Sequence, residues 1–243
     1  ADYERAIGPD TAVILRVHPS NFRVVGFTEE APLEDLVALA HARGLVVIDD
    51  VGSGALTDDP IYRGEPDVRA SVRAGVDVTC FSSDKLMGGP QGGILVGTKD
   101  AIDRCRRHPL MRALRPDKLT IAALEARLAL HRDPAAAKQA IPTLAMLAAQ
   151  PEELRAKAEQ LAIRVGGEVV ATVGRVGGGS LPVEELPSLA VRVESPDGAD
   201  ALAGRLRACS PHVAARIADG HVLLDVLALS DDDVALLPDL VES

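Results

Sequence analysis

The distribution of apolar residues along the chain predicts strands and helices in alternation. Largely apolar runs predict buried strands at residues 12–17 and 45–49 and two further strands at residues 76–81 and 93–98. Apolar residues at helical spacing predict further helices at residues 67–74, 99–108 and 119–131. Strands that alternate with helices are typical of a mostly parallel sheet with helices on both faces. The first half of the chain therefore predicts an α/β domain.

The helix between the first two strands carries its own start and stop signals. Thr28 is a capping residue type, acidic residues follow it, and Pro32 suits the first turn. Gly44 is the residue type that ends helices. We therefore expect this helix to begin within residues 28–32 and to end at Gly44.

The pattern changes near residues 133–142, which predicts a domain boundary near residue 136. Residues 1–135 would form the larger domain and residues 136–243 a smaller α+β domain. A long helix is expected at residues 143–164, followed by short strands, one helix and a final acidic helix. Asp219-Gly220 between two apolar runs predicts a hairpin, so the second sheet should be antiparallel.

Composition limits the classes of function. Of the 243 residues, 47% are hydrophobic, 26% are charged and only 2% are aromatic, which fits a globular core of small aliphatic side chains. The net charge of −10 argues against a protein that binds nucleic acid with its whole surface. Cys80, Cys105 and Cys209 are far apart, so we expect no disulfide framework, no metal site and a cytoplasmic location. No apolar run is long enough to predict a membrane span.

Candidate chemistry lies where predicted strands end. Asp49 and Asp50 close one strand, and Lys85 follows another within the glycine-rich stretch FSSDKLMGGPQGG. Ligands of open parallel sheets bind at the carboxyl ends of the strands. A lysine and a carboxylate at one rim suit pyridoxal phosphate, which needs an amine for a Schiff base and an acid beside its pyridine nitrogen. Residue types alone leave open a solvated surface lysine and an ordinary turn.

A basic cluster follows the fourth strand in an otherwise acidic chain. Its members are Arg104, Arg106, Arg107, Arg112, Arg115 and Lys118. Ala113 and Leu114 suggest partial burial of Arg112 and Arg115, and guanidinium groups bind phosphate and carboxylate well. The other three arginines fit a solvated helix end.

Two further loops are weaker candidates. Ser20, Asn21 and Arg23 follow the first strand and could contact a ligand, or form only local hydrogen bonds. GGGSLP at residues 177–182 predicts a tight turn that could reach toward the site. The histidines show no ligand spacing, and we expect structural or surface roles for them.

Five segments together resemble one enzyme family. In chain order they are HPSNFRVVGFTEE, VVIDDVGSGAL, FSSDKLMGGPQGGILVG, HPLMRALRPDKLTIAALEA and GGGSLPVEELPS. They resemble bacterial selenocysteine synthase, the L-seryl-tRNA(Sec) selenium transferase family, over nearly the whole chain. The segments around Lys85 and Arg112 are the most specific of the five.

The resemblance implies the fold of type I pyridoxal phosphate-dependent transferases. It implies that Lys85 forms the Schiff base with the cofactor aldehyde and that Asp49 pairs with its pyridine nitrogen. Ser82 would also contact the cofactor, and Asp84 would be an acid or base beside the lysine.

The resemblance also implies the substrates. Arg112 and Arg115 would bind selenophosphate, the anionic selenium donor. Seryl-tRNA(Sec) would lose its serine hydroxyl by β-elimination, and the dehydroalanyl intermediate would accept selenium. Members of this family form large homo-oligomers built from dimers.

The chain departs from the family pattern at three places. Ser83 stands where the family usually has glycine, and Leu227 stands where it often has arginine. Family members are also much longer at the N-terminus. We therefore expect a C-terminal fragment that lacks the main tRNA-binding part and binds the cofactor weakly. The alternatives are a related lyase acting on a small amino acid or amino sugar acid, and a non-catalytic scaffold for assembly.

Overall fold

The computed structural model describes residues 1–22, 24, 26–177, 179–182 and 184–242. These residues form two compact units. The first comprises Ala1–Ala145 and Val176–Glu184, and the second comprises Met146–Arg175 together with the residues from Glu185 onward. The predicted domain boundary near residue 136 remains a prediction. The segment 176–184, which connects two strands of the second unit, belongs to the first unit.

The first unit contains a four-stranded sheet. Its strands, in spatial as well as chain order, are β1 (Val13–Val17), β2 (Val46–Gly52), β3 (Val78–Ser82) and β4 (Gly93–Gly97). The first three are parallel, and β4 is antiparallel to β3. A loop of ten residues, 83–92, joins β3 to β4, which is too short for the crossover that a parallel strand needs. The mostly parallel α/β sheet expected from the sequence is confirmed.

The helices of the chain are α1 (Asp2–Ala6), α2 (Leu33–His41), α3 (Val68–Arg73), α4 (Lys99–Arg107), α5 (Leu110–Leu114), α6 (Lys118–Leu130), α7 (Pro134–Ala140), α8 (Pro142–Ala148), α9 (Pro151–Val165), α10 (Ala199–Ala208) and α11 (Asp231–Glu242). The helices expected at residues 67–74, 99–108 and 119–131 are present with shifted ends, whereas α5 and α7 were not expected from the sequence. The cap of α2 is Pro32, so the predicted cap at Thr28 is wrong. The long helix expected at 143–164 is two helices, because Pro151 starts a new one with Gln150 as its cap.

Both faces of the first sheet are covered in part by helices. Val37 and Ala40 of α2 pack against Ile14 and Val47 on the face that also carries Asp49. On the opposite face, α4 and the strands line an apolar cavity of about 450 Å³. Val13, Leu15 and Val17 of β1 remain exposed on that face.

The second unit is built on an antiparallel sheet. Its strands are β5 (Glu168–Gly174), β6 (Leu186–Val193), β7 (Arg216–Ala218) and β8 (His221–Asp225), in the spatial order β5-β6-β8-β7. The predicted hairpin is confirmed, since Asp219 and Gly220 between β7 and β8 both have positive φ, as a tight primed turn requires. Leu227, at the position where the family often has arginine, packs against the core of this unit.

Candidate active site

Asp49 is a fully buried carboxylate in the middle of the first sheet. Strand register places Arg16, Asp49 and Thr79 side by side on β1, β2 and β3. Asp49 Oδ1 accepts a hydrogen bond from Arg16 Nη1 at 3.0 Å, and Oδ2 accepts one from Ser71 Oγ at 2.6 Å. The hydroxyl of Thr79 is buried and has no hydrogen-bond partner among the described residues. Asp49 is therefore a carboxylate held in place by a cation and a hydroxyl.

Ser83 closes the base of the loop that carries Lys85. Its N–H donates to Gly92 O at 2.9 Å, and its carbonyl accepts from Gly89 N at 2.7 Å. Its hydroxyl lies 2.5 Å from Pro90 O and 3.0 Å from Gly92 O. The serine at this position, where the family usually has glycine, is buried and contributes hydrogen bonds to the loop.

Lys85 lies in a recess bounded by two glycines. A Cβ atom at position 179 would lie 2.9 Å from Lys85 Cε and 3.3 Å from Nζ. A Cβ atom at position 52 would lie 4.0 Å from Nζ and 3.1 Å from Ser20 Oγ. Within the described ranges, no hydrogen bond or ion pair involves the half-buried Lys85 ammonium group. A partly desolvated amine without a counter-charge is suited to react with a carbonyl compound.

The residues beside Lys85 differ in exposure. Asp84 is exposed and has no hydrogen-bond or ion-pair partner in the part of the chain that the structure describes. Ser82 is the last residue of β3, is half-buried and pairs in register with Gly93. Both residues are adjacent to the lysine in sequence, and their roles stay predictions.

The two candidate arginines lie at α5. Arg112 is in this helix, Arg115 caps its end, and both are exposed. Leu114 between them is 71% exposed, so the expectation of partial burial is wrong. The apolar Ala113-Leu114 pair misled because a five-residue helix on the surface buries none of its residues. Neither guanidinium forms an ion pair or hydrogen bond with a described residue.

The loop after β1 and the 177–182 turn both contribute to the recess. Ser20 borders Gly52, whereas Asn21 is exposed and Arg23 lies outside the described residues. Gly179 contacts Lys85, as the turn was expected to do, and Gly178 is outside the described residues.

Sequence reasoning missed His18, Glu65 and Arg16. His18 could have been found, since it directly follows strand β1, at the rim where ligands of parallel sheets bind. In the structure its N–H donates to Asp50 O at 2.8 Å. Glu65 has no comparable signal, because it belongs to an irregular segment. Its side chain is nonetheless only 3% exposed and lies 3.5 Å from His18 Nε2.

Cys80 lies on the opposite face of the sheet from Asp49. Burial, and then the charge and hydrogen bond of Asp50, raise the pKa of the Cys80 thiol to about 11. Cys80 is therefore a neutral thiol at physiological pH and a poor nucleophile. Among the described residues no cluster of His, Cys, Asp and Glu is arranged to hold a metal ion. No helix in the described ranges is long and apolar enough to cross a membrane.

The sequence and fold have clear relatives. The chain is 49% identical over 241 residues to the L-seryl-tRNA(Sec) selenium transferase of Moorella thermoacetica, covering 94% of this chain and 51% of that protein. It is 46% identical to the enzyme of the same name from Rhizobium meliloti, covering 95% of this chain and 52% of that protein. The chain thus spans about half the length of the curated relatives it matches.

A solved structure shares the fold. The structure of D-glucosaminate-6-phosphate ammonia-lyase aligns over 98% of this chain and 60% of its own, with a TM-score of 0.62 and 22% sequence identity. At that identity the likeness concerns the fold alone, and it agrees with the type I fold expected from the sequence. Residues 1–230 match the family described as L-seryl-tRNA selenium transferase, and the chain belongs to that family.

Proposed function

We propose that this chain is the part of a selenium transferase that holds pyridoxal phosphate and converts L-seryl-tRNA(Sec) to selenocysteinyl-tRNA(Sec) with selenophosphate. The proposal concerns the activity of the whole protein, because the chain spans about half of its relatives. The observation that carries it is the unpaired, half-buried amine of Lys85 in a glycine-bounded recess, within a chain of this family. A structural surface lysine has no need of such a recess.

The residues present fit the cofactor. A side chain at position 179 would press on the end of Lys85, and one at position 52 would reach van der Waals distance of Nζ, so the two glycines keep room for a group bound to that amine. Asp49 supplies a buried carboxylate on the strand that ends at Gly52. Pyridoxal phosphate, when bound, supplies an electron sink that stabilises negative charge at the Cα atom of the substrate. Lys85 would hold it by its aldehyde carbon, Asp49 by its pyridine nitrogen, and Ser82 would add a hydrogen bond.

The protein's own groups then have separate tasks. Lys85 Nζ, as a free amine no longer bonded to the cofactor, would take the proton from Cα of the seryl group and later return one to the same carbon. Asp84, exposed next to the lysine, is an acid or base for the serine hydroxyl, which leaves as water. Asp49 would supply the negative charge beside the pyridine nitrogen, and its contacts with Arg16 and Ser71 hold the buried carboxylate in position.

Arg112 and Arg115 form the proposed binding site for selenophosphate. Both guanidinium groups are exposed and without a partner among the described residues, so they are available to an anion. Two planar donors can hold the phosphate group of the donor while selenium is added to the β-carbon. Seryl-tRNA(Sec) would bind mainly through parts of the protein beyond this chain. The homo-oligomeric state and the cytoplasmic location stay predictions.

Reductive trapping tests the proposal. The protein is incubated with pyridoxal phosphate, reduced with borohydride and digested, and the modified lysine is identified by mass spectrometry. We expect the adduct on Lys85 and its loss in Lys85→Ala. Lys99→Ala is the matched control, because Lys99 is a surface lysine paired with Asp103. An adduct spread over surface lysines, or one that survives in Lys85→Ala, would contradict the proposal. It would favour the alternative of a non-catalytic scaffold.

A second assay tests the substrate. Protein carrying this chain is given seryl-tRNA(Sec) and selenophosphate, and the aminoacyl group is identified after hydrolysis of the ester. Selenocysteine is the expected product. Release of ammonia from a small amino acid or amino sugar acid, without any selenocysteine, would instead show a related lyase.

A further inference from the structure

Glu65 is an ionisable group that the proposed reaction does not use. Its side chain is 3% exposed. Burial acts to raise the pKa of Glu65, but contacts with the side chains of His18 and Ser53 and with the N–H of Leu181 bring it below its ordinary value. The carboxyl group is therefore ionised at neutral pH. A buried charge is costly unless its partners hold it, so the partners of Glu65 indicate its role.

The first partner is the backbone of Leu181. Glu65 Oε1 accepts a hydrogen bond from Leu181 N at 2.7 Å. Leu181 has a left-handed φ of 51°, which a non-glycine residue adopts only when its surroundings hold it there. Gly179, two residues earlier, lies against Lys85. Glu65 thus fixes the segment that forms one wall of the recess around the lysine.

The second partner is His18. Glu65 Oε2 lies 3.5 Å from His18 Nε2, close enough for an ion pair with a protonated imidazole, but it forms no well-directed hydrogen bond with a described residue. The carbonyl of His18 accepts a hydrogen bond from Ser20 N at 2.9 Å. Ser20 Oγ in turn lies 3.1 Å from where a Cβ atom at position 52 would be, on the other wall of the recess. One carboxylate therefore contacts the segment that carries Gly179 and also His18, two residues before the Ser20 that borders Gly52.

We propose that Glu65 is a positioning residue for Lys85. Through Leu181 it holds the Gly179 wall, and through His18 it holds the Ser20 wall, so the recess keeps its width when the amine reacts. Glu65 acts only through these neighbours, and it makes no contact with the reacting atoms. The inference rests on the proposed function, since it takes Lys85 to be the amine that holds the cofactor.

The test compares Glu65→Ala with Glu184→Ala, a matched control on the segment that carries Leu181. Glu184 is three residues beyond Leu181, and its N–H donates to Leu181 O at 3.1 Å, a backbone contact that alanine preserves. Its carboxylate pairs with Arg63 at 3.7 Å and not with Leu181 N or His18. At saturating pyridoxal phosphate, Glu65→Ala should slow reductive trapping on Lys85 about tenfold, equivalent to about 1.4 kcal/mol. Glu184→Ala should stay within about twofold of wild type, as surface substitutions do. A wild-type trapping rate in Glu65→Ala would overturn the inference.

Comparing the affinity for pyridoxal phosphate with the rate of trapping on Lys85 distinguishes a positioning role of Glu65 from general destabilisation of the protein. We expect the affinity for the cofactor, measured by fluorescence before reduction, to change less than the trapping rate. Equal loss of both would overturn the positioning role. If Glu65→Ala does not fold, Glu65→Gln replaces it, because glutamine keeps an acceptor for Leu181 N and removes only the charge beside His18. Slower trapping in Glu65→Gln supports the inference, and an unchanged rate overturns it.

A measurement without the cofactor keeps this inference distinct from the proposed function. Amide hydrogen exchange at Leu181 reports the hydrogen bond to Glu65 directly. Faster exchange in Glu65→Ala, but not in Glu184→Ala, would support the anchoring of this wall even if wild-type Lys85 forms no adduct. In that case the proposed function fails while the anchor stands. Unchanged exchange in Glu65→Ala would reject the anchor whatever Lys85 does.

Discussion

Gly179 lies directly against the side chain of Lys85. A Cβ atom at position 179 would be 2.9 Å from Lys85 Cε, closer than packed carbon atoms normally approach. Gly179 also has a φ of 95°, a backbone conformation that residues with a side chain rarely adopt. The backbone conformation therefore favours glycine at position 179, and an added methyl group would displace the flexible end of the Lys85 side chain.

Gly179→Ala should lower the rate of cofactor trapping on Lys85 by more than its loss of folding stability accounts for. The strained backbone costs about 1 kcal/mol or more, and the added methyl group displaces the lysine from its recess. We expect a lower rate of cofactor trapping on Lys85, measured by borohydride reduction and mass spectrometry. Gly177→Ala is the matched control, since Gly177 has a φ of 98° but no atom within 4 Å of its added Cβ. Equal trapping rates in the two variants would show that the contact with Lys85 has no effect.

Asp49→Asn tests the buried carboxylate. The substitution removes the negative charge that Arg16 contacts at 3.0 Å, so Arg16 keeps only the exposed carboxylate of Glu30, at 3.5 Å. We expect a loss of stability of about 1–3 kcal/mol and weaker binding of pyridoxal phosphate, because a neutral amide no longer favours a protonated pyridine nitrogen. Thermal unfolding and absorbance titration measure the two effects. The control is Asp50→Asn on the other face of β2, and similar cofactor affinity in both variants would contradict the role of Asp49.

Most of the architecture could be predicted from the sequence. Strands β1 to β4 are short apolar runs between turn residues, and such runs form strands wherever a sheet can bury them. The errors lie where local signals compete. Thr28 looked like a cap, but Pro32 has the extended conformation from which α2 starts, four residues later. The orientation of β4 depends on the length of the loop before it rather than on the apolar pattern.

The candidate site could be predicted only in part. Asp49 and Lys85 were proposed together because the ends of parallel strands share one rim. The structure extends β2 to Gly52, so Asp49 lies within the strand and not at its end, and the shared site of Asp49 and Lys85 stays a prediction. The contact of Glu65 with Leu181 joins residues 116 positions apart, and no periodicity in the sequence records it. The exposure of Leu114 was missed because an apolar residue type does not reveal whether another element covers it.

Cys80 should be slow to react with alkylating reagents. Its pKa of about 11 means that roughly one thiol in a thousand is ionised at pH 8. Because the raised pKa favours the protonated thiol, reactivity should rise with pH up to about 11 in the folded protein. Iodoacetamide labelling of Cys80, followed by mass spectrometry across this pH range, measures it. Asp50→Asn removes a nearby charge and should accelerate labelling of Cys80 but not of Cys105. Equal acceleration at both would indicate partial unfolding.

Arg112→Ala should weaken binding of the donor, selenophosphate, more than it slows loss of water from the seryl group. Arg112 is exposed and has no partner among the described residues, so its removal leaves the fold intact and costs stability less than about 0.5 kcal/mol. If its guanidinium holds selenophosphate, the apparent affinity for the donor should fall about tenfold or more, as for loss of a charged hydrogen bond. Loss of water from the seryl group, which precedes selenium addition, should continue at a rate close to that of wild type. Rapid quench with labelled seryl-tRNA(Sec) separates the two steps.

The control for Arg112 is Arg106→Ala in the neighbouring helix. Arg106 is also exposed and lies in the same basic cluster, but it faces Asp103 at 3.8 Å and fits a solvated helix end. If the basic cluster attracts the anionic donor only through its overall charge, both substitutions should lower the affinity for the donor equally. Added salt should then reduce both effects. If Arg112 contacts the phosphate group directly, only Arg112→Ala should lower the affinity for the donor. Equal loss of the elimination and addition steps in Arg112→Ala would contradict an anion-binding role, because the donor takes part only in the second.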